Sequence, residues 1–429
     1  MTGRREVTVH PSRIDGAFTP PPSKSYTHRA LIAAYLTRRR SIVRRPLDSE
    51  DTRATLAGIR ALGRRVRVQP QAWKIEPGPK RRSGRITIDC RESGTTLRLL
   101  SAVAAAGGEA VHLVGRPTLA RRPTGPLYDA LAALGADVRR PSDGRSVPVR
   151  IEGPLRPGAV RLDGSSSSQF VSAMLFVLPT LDGSSRMTLD GPLVSQPYVD
   201  ATRAVLHTHG VRVDRRGRTF HIPGGQRYAA RSFTVPPDAS SAAYPFAAAA
   251  LSGGAVRARG LTAELPQADL AIVDVLARAG ASTDRRPTGL SVQGPIDRPF
   301  RVDLTNAPDL YPLCGAVAAC LPGTSRIDGA RHVVGKESDR FRTTVELARA
   351  LGARVAGRPG RLYVTGQRPP TAIRTAGLRD HRVMMSAAVA AVVADGPSRL
   401  ADAQCVRKSW PGFWATMRSL GGAIRGAGA

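Results

Sequence analysis

The chain has 429 residues, which is too long for one ordinary hydrophobic core and therefore favours two domains. It carries 64 basic and 33 acidic residues, a formal net charge of +31, and all but five of the basic residues are arginine. This charge makes nucleic acid the first partner to consider. However, the arginines are spread along the whole chain, aromatic residues make up only 5%, and no nucleic-acid-binding motif is present, so we do not expect a nucleic-acid partner.

The four cysteines form no CxxC pair and no metal spacing, which is typical of reduced thiols in a cytoplasm. The amino-terminal "MTGRREVTVH" lacks the apolar core of a signal peptide. No apolar run approaches the ~20 residues that a membrane helix needs. We therefore expect a cytoplasmic protein with no membrane partner.

An apolar helix pattern that stops at a glycine and continues into a short strand recurs six times, at intervals of about 70 residues. The shared glycines are Gly63, Gly135, Gly210, Gly280, Gly352 and Gly421. Five copies continue through a turn into a second strand, whereas the sixth runs into the end of the sequence. The pattern predicts six small α/β subdomains that form two globular halves.

The strand missing from the sixth copy is available near the amino terminus, in "EVTVHPSRIDG" at residues 6–16. If this strand joins the last repeats, the chain must cross between the halves twice. Proline-rich segments at 19–25 and 233–241 are the candidate crossings. We therefore predict that residues 1–19 and 234–429 form domain I and that residues 20–233 form domain II.

The first motif in chain order, "PPSKSYTHRA", places two prolines and several polar groups directly before an apolar helix. The prolines disfavour helix before Ser23, so Ser25 or Thr27 is expected to cap the helix. The free amides of the helix start, together with Lys24 and Arg29, suit a phosphate or carboxylate. A purely structural cap is the alternative.

Three further helix starts follow the same theme. Small residues around Gly94 precede a helix in "DCRESGTTLRLL", and Arg121 and Arg122 precede another in "GRPTLARRPTG". The run "DGSSSSQF" (163–170) is either a serine-rich linker or a fourth set of hydroxyls and amides at a helix start.

The carboxy-terminal half adds acids to the cations. Its charged motifs are "NAPDLYPLC" (306–314), "VGKESDRF" (334–341), "DHRVMM" (380–385) and "VRKSWPGF" (406–413). Any one of these runs is more often a solvated face than a site. Together they indicate anion-binding cations and two candidate proton-transfer carboxylates, and they predict a pair of small, multiply anionic substrates held between the halves.

In this order, the motifs SKSxxxR, SGTTxR, RRP, SSQF, SQPY, KESDR and DHR, followed by a terminal lysine before an aromatic residue and a proline, resemble the 5-enolpyruvylshikimate-3-phosphate synthases, a family of enolpyruvyl transferases. The resemblance covers essentially the whole chain. It implies an α/β fold of two inverse α/β domains, each built from three βαβαββ repeats, with a cleft between them that closes over the substrates.

The resemblance also implies the roles of particular residues. Phosphoenolpyruvate would be bound by Lys24, Gly94, Arg122, Gln169, Arg340, Arg382 and Lys408. The acceptor, shikimate 3-phosphate, would be bound by Ser25, Arg29, Ser167, Ser168, Gln169, Ser195, Tyr198, Asp309 and Lys336. The implied catalytic residues are Lys24, Asp309, Glu337 and Lys408, with Asp309 and Glu337 as the proton-transfer acids.

In the implied reaction the 5-hydroxyl of the acceptor adds to C2 of phosphoenolpyruvate while C3 is protonated. The resulting tetrahedral intermediate then loses a C3 proton and phosphate. Such a reaction needs a base, an acid and fixed cations, but no metal or organic cofactor. A monomer is expected.

The sequence departs from the family pattern in three places. Glu92 adds a carboxylate beside the implied phosphoenolpyruvate pocket, His332 stands where an asparagine often contacts the acceptor, and the helix start has the sequence Tyr26-Thr27-His28-Arg29.

These departures allow alternative functions. One alternative is a homologous enolpyruvyl transferase that acts on another phosphorylated alcohol, such as a nucleotide. The sister enzyme that uses UDP-N-acetylglucosamine is disfavoured because the loop "RPTLARRP" lacks its reactive cysteine. A non-catalytic basic binding protein is disfavoured because binding alone would not require the acids.

Overall fold

The computed structural model describes residues 6–78, 85–375, 378 and 380–426. Lys80, one of the five lysines, lies outside the described residues. The chain forms two compact units. Unit 1 contains Met1–Pro21 and Pro237–Ala429, and unit 2 contains Pro22–Pro236.

The described residues form short strands and helices that alternate along the chain. The strands of the first half are β1 (Val7–Val9), β2 (Gly16–Phe18), β3 (Ser41–Arg44), β4 (Arg64–Gln69), β5 (Ala72–Pro77), β6 (Ile86–Asp89), β7 (Val111–Val114), β8 (Asp137–Arg139), β9 (Val149–Glu152), β10 (Ala159–Asp163), β11 (Ser185–Asp190) and β12 (Asp214–Arg216). Those of the second half are β13 (Thr219–Ile222), β14 (Ser232–Thr234), β15 (Ala255–Arg259), β16 (Ser282–Arg286), β17 (Gly289–Gln293), β18 (Arg301–Asp303), β19 (Gly323–Asp328), β20 (Arg354–Arg358), β21 (Arg361–Gly366), β22 (Arg374–Thr375), β23 (Ser398–Leu400) and β24 (Ile424–Arg425). The α-helices are α1 (Lys24–Leu36), α2 (Glu50–Ala61), α3 (Gly94–Ala106), α4 (Pro117–Ala120), α5 (Gly125–Ala133), α6 (Ser168–Val177), α7 (Gln196–Thr208), α8 (Ala239–Ser252), α9 (Ala271–Ala279), α10 (Tyr311–Ala319), α11 (Arg340–Ala350), α12 (His381–Ala391) and α13 (Phe413–Ser419).

The strands form four-stranded sheets that all share one pattern, a parallel pair followed by two antiparallel pairings. In unit 2 the strand orders are β14-β3-β5-β4, β6-β7-β9-β8 and β10-β11-β13-β12. In unit 1 they are β16-β17-β15-β2, β18-β19-β21-β20 and β22-β23-β1-β24. The predicted α/β fold of three repeats in each of two parts is confirmed.

Each repeat glycine lies between the end of a helix and the start of the next strand. The helices that end there are α2, α5, α7, α9, α11 and α13. All six glycines have a positive φ, from +76° at Gly210 to +120° at Gly280. This backbone region carries a side-chain penalty for other residues, which is why the helix pattern stops at glycine in every copy.

The amino-terminal strand completes the last repeat, as predicted. Strand β1 pairs antiparallel with both β23 and β24, and Thr8 lies opposite Arg399 and Arg425. The next strand, β2, instead pairs in parallel with β15 of unit 1. Strand β1 therefore completes the sixth repeat, whereas β2 belongs to the sheet of the fourth.

Each unit is built around helices that are buried along nearly their whole length, namely α1, α3 and α6 in unit 2 and α8, α10 and α12 in unit 1. Their sequences are apolar on every side, so they lack the polar face of a surface helix. Polar side chains are concentrated at their amino-terminal ends, which is where the predicted site residues lie. None of the helices in the described part of the chain has the length and apolar character that crossing a bilayer requires.

Candidate active site

The start of α1 is capped by Ser23, whose hydroxyl accepts a hydrogen bond from the Tyr26 amide at 3.5 Å. The expectation that Ser25 or Thr27 caps this helix is therefore wrong. Thr27 instead donates to the Ser23 carbonyl at 2.8 Å, because the backbone is already helical from Lys24 onwards. The helix consequently begins at the lysine itself.

Lys24 lies at this first helical position and donates from Nζ to the Asp51 carboxylate at 3.1 Å. Asp51 is in the first turn of α2 and is almost completely buried. The ion pair fixes the ammonium between two helix starts, where backbone amides favour an anion.

Helix α3 begins at Gly94, and Ser93 caps it by accepting from the Thr96 amide at 3.1 Å. The Arg122 guanidinium packs directly against Gly94, since a Cβ added there would lie 2.6 Å from Arg122 Nη1. Glycine at this position therefore lets a buried arginine lie over the start of α3. Glu92 lies just before the cap and accepts a hydrogen bond from the Thr118 hydroxyl at 3.0 Å.

Arg98 connects this helix start to two others. Its Nη1 donates to the Gln169 side-chain oxygen at 2.7 Å, and its Nη2 donates to the Pro123 carbonyl at 2.8 Å. The Gln169 amide in turn donates to Thr95 at 3.1 Å. Arg98 thus fixes the predicted ligand Gln169 and the segment next to Arg122 in one arrangement.

The serines of the run 165–168 make different contacts. Ser165 and Ser166 both donate to Asp163, whereas Ser167 caps α6 and accepts from the Gln169 amide at 3.3 Å. Ser168 begins the helix. The run is therefore a turn leading into a helix start, and the linker alternative is wrong.

Arg29 is buried and cross-links α1 to α7. It donates to the Thr202 hydroxyl at 2.9 Å, to the Tyr198 carbonyl at 2.8 Å and to the Ser25 carbonyl at 2.9 Å. Burial lowers the pKa of Arg29 to about 10. Ser195, just before α7, has a left-handed backbone with a φ of +54°. The structure thus brings the predicted acceptor residues of α1 and α7 together through Arg29.

In unit 1 the centre of the predicted site is Arg340, at the start of α11 and only 1% exposed. Its Nη1 donates to Asp309 at 2.7 Å, its Nη2 to Glu337 at 2.8 Å and its Nε to Asp380 at 2.9 Å. One guanidinium therefore holds three carboxylates, and both candidate proton-transfer acids are among them.

Asp309 is also held by a second arginine, because Arg382 Nη2 donates to its other oxygen at 2.7 Å. Burial alone would raise the pKa of Asp309, but Arg382, Arg340 and Lys336 outweigh it and hold the pKa of this carboxyl well below its usual range. Asp309 is therefore ionised at neutral pH.

The remaining predicted residues of unit 1 lie on short turns. Lys336 follows the 3₁₀ turn Arg331–Gly335, which contains His332, and both side chains interact electrostatically with Asp309. Burial and the nearby Lys336 lower the pKa of His332 to about 3, so its ring is neutral. Lys408 ends another 3₁₀ turn, Ala403–Lys408, which packs against α12.

Three residues that hold the site were not assigned from the sequence. In the sequence pattern, Asp51 is indistinguishable from an ordinary acid in the first turn of a helix, and Asp380 from an ordinary helix cap; they lie at those places in α2 and α12. Arg98 gave a clearer signal, since it is the one charged residue within the apolar helix "GTTLRLLSAVAAA". Within the described residues, no three His, Cys, Asp or Glu side chains lie together as a metal-binding group would require.

The fold and these contacts define an α/β protein of two repeat-built units, with cations at the helix starts of unit 2 and a network of acids and arginines in unit 1. A model of the family described as EPSP synthase (3-phosphoshikimate 1-carboxyvinyltransferase) matches residues 9–417. The chain therefore belongs to the EPSP synthase family, and the resemblance found in the sequence is confirmed.

Relatives and solved structures agree with this membership. A 3-phosphoshikimate 1-carboxyvinyltransferase of Methanocorpusculum labreanum is 38% identical over 426 residues, which cover 98% of this chain and 99% of the relative. An EPSP synthase structure from Acinetobacter baumannii matches with a TM-score of 0.82 and 22% identity over 99% of this chain and all of the other. The enolpyruvyl transferase NikO from Streptomyces tendae matches with a TM-score of 0.79 and 20% identity over the whole of both chains. At these identities the two structures establish the shared fold.

Proposed function

We propose that this protein transfers the enolpyruvyl group of phosphoenolpyruvate to the 5-hydroxyl of shikimate 3-phosphate and releases phosphate. The observation that carries the proposal is the full-length similarity, at 38% identity, to a relative named for this reaction. The residues that the family resemblance assigned to the two substrates are all present. This activity places the protein in the shikimate pathway of aromatic amino acid biosynthesis.

In the proposed reaction, unit 2 binds the anionic groups of the substrates. Lys24, Arg122 and Gln169 bind phosphoenolpyruvate beside the amides around Gly94. Ser167, Ser168, Ser195 and Tyr198 bind the phosphate of the acceptor. The support is that Lys24 is held by Asp51 and Gln169 by Arg98. Groups that are positioned in advance stabilise developing charge without reorganising during the reaction.

Unit 1 supplies the proton transfers. Asp309, which is ionised, accepts the proton of the 5-hydroxyl as its oxygen attacks C2 of phosphoenolpyruvate. Glu337, in its protonated form, delivers a proton to C3 and takes one back from C3 when phosphate leaves. The proton that Asp309 accepted leaves with the phosphate. This assignment refines the expectation from sequence, since it makes Asp309 a base. Arg340, Arg382, Lys336 and Lys408 balance the negative charge of the two substrates.

The first test is release of inorganic phosphate from phosphoenolpyruvate with shikimate 3-phosphate, run beside the same assay with uridine monophosphate. We expect turnover with shikimate 3-phosphate alone. Turnover with the nucleotide alone would assign the protein to the alternative acceptor class, and Glu92 and His332 would then be the first residues to examine. No turnover with either acceptor would refute the proposal.

Two variants test the residue roles, each with a matched control in the same unit. Lys24→Met and Glu337→Gln should abolish turnover and leave the circular dichroism spectrum unchanged. Lys74→Met, on strand β5, and Glu346→Gln, on the exposed side of α11, should keep wild-type activity. Near-normal turnover in Lys24→Met or Glu337→Gln would remove that residue from the mechanism.

A further inference from the structure

A chain of buried hydrogen bonds joins α1, α2 and α3 of unit 2. His28 Nδ1 lies 2.7 Å from the Thr55 hydroxyl, which lies 2.7 Å from the Thr96 hydroxyl. Thr96 donates to the Ser93 hydroxyl, also at 2.7 Å. His28, Thr55 and Thr96 are completely buried, and Ser93 is 1% exposed. All four side chains are therefore removed from water.

Counting protons fixes the direction of this chain. Each threonine hydroxyl has a single proton to donate. The Thr96 hydroxyl donates towards Ser93 at 2.7 Å and, over a longer distance of 3.3 Å, towards the Asp51 carbonyl. Whichever of the two takes its one proton, the proton between Thr55 and Thr96 must come from Thr55. Thr55 then has none left for the imidazole, so His28 Nδ1 must carry a proton and donate it to Thr55. The ring is therefore the Nδ1–H tautomer.

The imidazole remains in this neutral form. Burial lowers the pKa of His28 to about 3, since the repulsion from Lys24 and Arg29 adds to burial and the attraction of Asp51 does not offset them. Its other nitrogen, Nε2, has no hydrogen-bond partner within the described part of the chain. A buried polar atom without a partner is costly, so the only hydrogen bond of the ring has to compensate for it.

This chain of hydrogen bonds lies one helical turn further along α1 and α2 than the Lys24–Asp51 ion pair of the candidate site. His28 follows Lys24 by one turn on α1, and Thr55 follows Asp51 by one turn on α2. The Lys24–Asp51 and His28–Thr55 contacts are thus successive connections between the same two helices. Thr96 extends the second connection to α3, whose first residue is Gly94.

We infer that His28 is a positioning residue, held as the Nδ1–H tautomer, whose one-way chain through Thr55 and Thr96 to Ser93 fixes the start of α1 against the start of α3. Its role in catalysis rests on the proposed function, because it acts through Lys24 and Gly94. The direction of the hydrogen bonds does not depend on the activity. Loss of these hydrogen bonds should make the positions of the phosphoenolpyruvate-binding groups less fixed, without removing any of those groups.

The tautomer is tested by nitrogen NMR of the protein labelled with ¹⁵N-histidine. The resonances of His28 are assigned by their absence in His28→Asn. We expect a protonated Nδ1 and an unprotonated Nε2 that stay unchanged between pH 6 and pH 8. A protonated Nε2 with a bare Nδ1 would overturn the direction of the chain, and a ring that titrates in this range would overturn its neutral state. Neither readout requires turnover, so this test stands even if the proposed activity fails.

The positioning role is tested by steady-state kinetics of Thr55 variants. Thr55→Val keeps the shape but removes the hydroxyl, and we expect kcat/KM for phosphoenolpyruvate to fall about tenfold, as the loss of one buried hydrogen-bond connection implies. The KM for the acceptor should change less than twofold. Thr55→Ser restores the hydroxyl and should restore most of the activity.

The control is Thr37→Val, which removes an equally buried hydroxyl at the other end of α1. It should leave kcat/KM within twofold of wild type. Wild-type kinetics in Thr55→Val, or an equal loss in Thr55→Ser, would overturn the positioning role. An equal loss in Thr37→Val would have the same consequence, because it would show a general effect of losing a buried hydroxyl.

Discussion

Replacing Arg340 by methionine is the most informative perturbation of unit 1. The substitution keeps much of the side-chain volume and removes the guanidinium that donates to Asp309, Glu337 and Asp380. Removing one partner of a buried ion pair costs about 3–5 kcal/mol, because the remaining charge is left without compensation. Three hydrogen bonds disappear, but Asp309 keeps its bond from Arg382. We therefore expect the free energy of unfolding to fall by an amount within this range.

The pH dependence gives the sharper test. Arg340 contributes to lowering the pKa of Asp309. Against the effect of burial, Arg340 and His381 together lower the pKa of Asp380 to about 2, with Arg340 the larger cause. Carboxyls with a depressed pKa stabilise the fold above about pH 4, the unfolded value, and this stability is lost as the pH falls towards the folded value. Without the guanidinium, burial shifts the pKa of both carboxyls upwards, less so for Asp309, whose pKa Arg382 and Lys336 continue to lower. The variant should therefore lose the most stability at neutral pH and come closer to the wild type on acidification.

The assay is urea unfolding of wild type and Arg340→Met at pH 7 and pH 4.5, followed by circular dichroism. Arg349→Met, an exposed position on the same helix, serves as the control and should change the free energy of unfolding by less than about 0.5 kcal/mol. The difference between Arg340→Met and wild type should shrink at the lower pH. A difference that stays constant or grows would refute the assignment of Arg340 as the group that keeps these acids ionised.

Three further substitutions test other parts of the structure. Asp51→Asn removes the carboxylate that holds Lys24 and should lower kcat about tenfold in steady-state assays, and an unchanged kcat would contradict this role. Gly94→Ala places a methyl group 2.6 Å from Arg122 Nη1 and should raise the KM for phosphoenolpyruvate at least about tenfold, with little change for the acceptor. Gly210→Ala meets no atom closer than 3.9 Å but keeps a φ of +76°, so urea unfolding should show a loss of about 1–2 kcal/mol while kcat stays unchanged. A larger loss, or a lower kcat, would mean that this glycine does more than allow the turn.

The repeated fold could be predicted from the sequence because its signals are local. A helix that ends at glycine and turns into a strand is encoded within about ten residues, and the copies reinforce one another. The pairing of β1 with β24 could also be predicted, since the sixth copy lacked a strand and the amino terminus supplied one. This connection is encoded only in the repeat pattern of the whole chain.

The network around Arg340 could not be predicted in the same way. The motifs place Arg340 near Glu337 in the sequence, but Asp309 and Asp380 lie 31 and 40 residues away and meet the guanidinium only after folding. The wrong choice of helix cap has a local cause. Three serine and threonine residues compete as the cap within "SKSYT", and the backbone becomes helical immediately after the first of them, Ser23.

The position of many arginines gives the unusual charge of the chain a structural use. Each sheet in the described part of the chain has one edge strand that is paired antiparallel with its neighbour. In every sheet this edge strand carries at least one exposed arginine. These strands are β4, β8, β12, β16, β20 and β24. An edge strand presents unpaired amides and carbonyls to other chains, and charged side chains there oppose edge-to-edge association. On β4, Arg65 and Arg67 precede Val68, which is 48% exposed and would otherwise favour such pairing. Because the fold repeats one sheet six times, each copy has an edge strand of this kind, and in each copy that strand carries an exposed arginine.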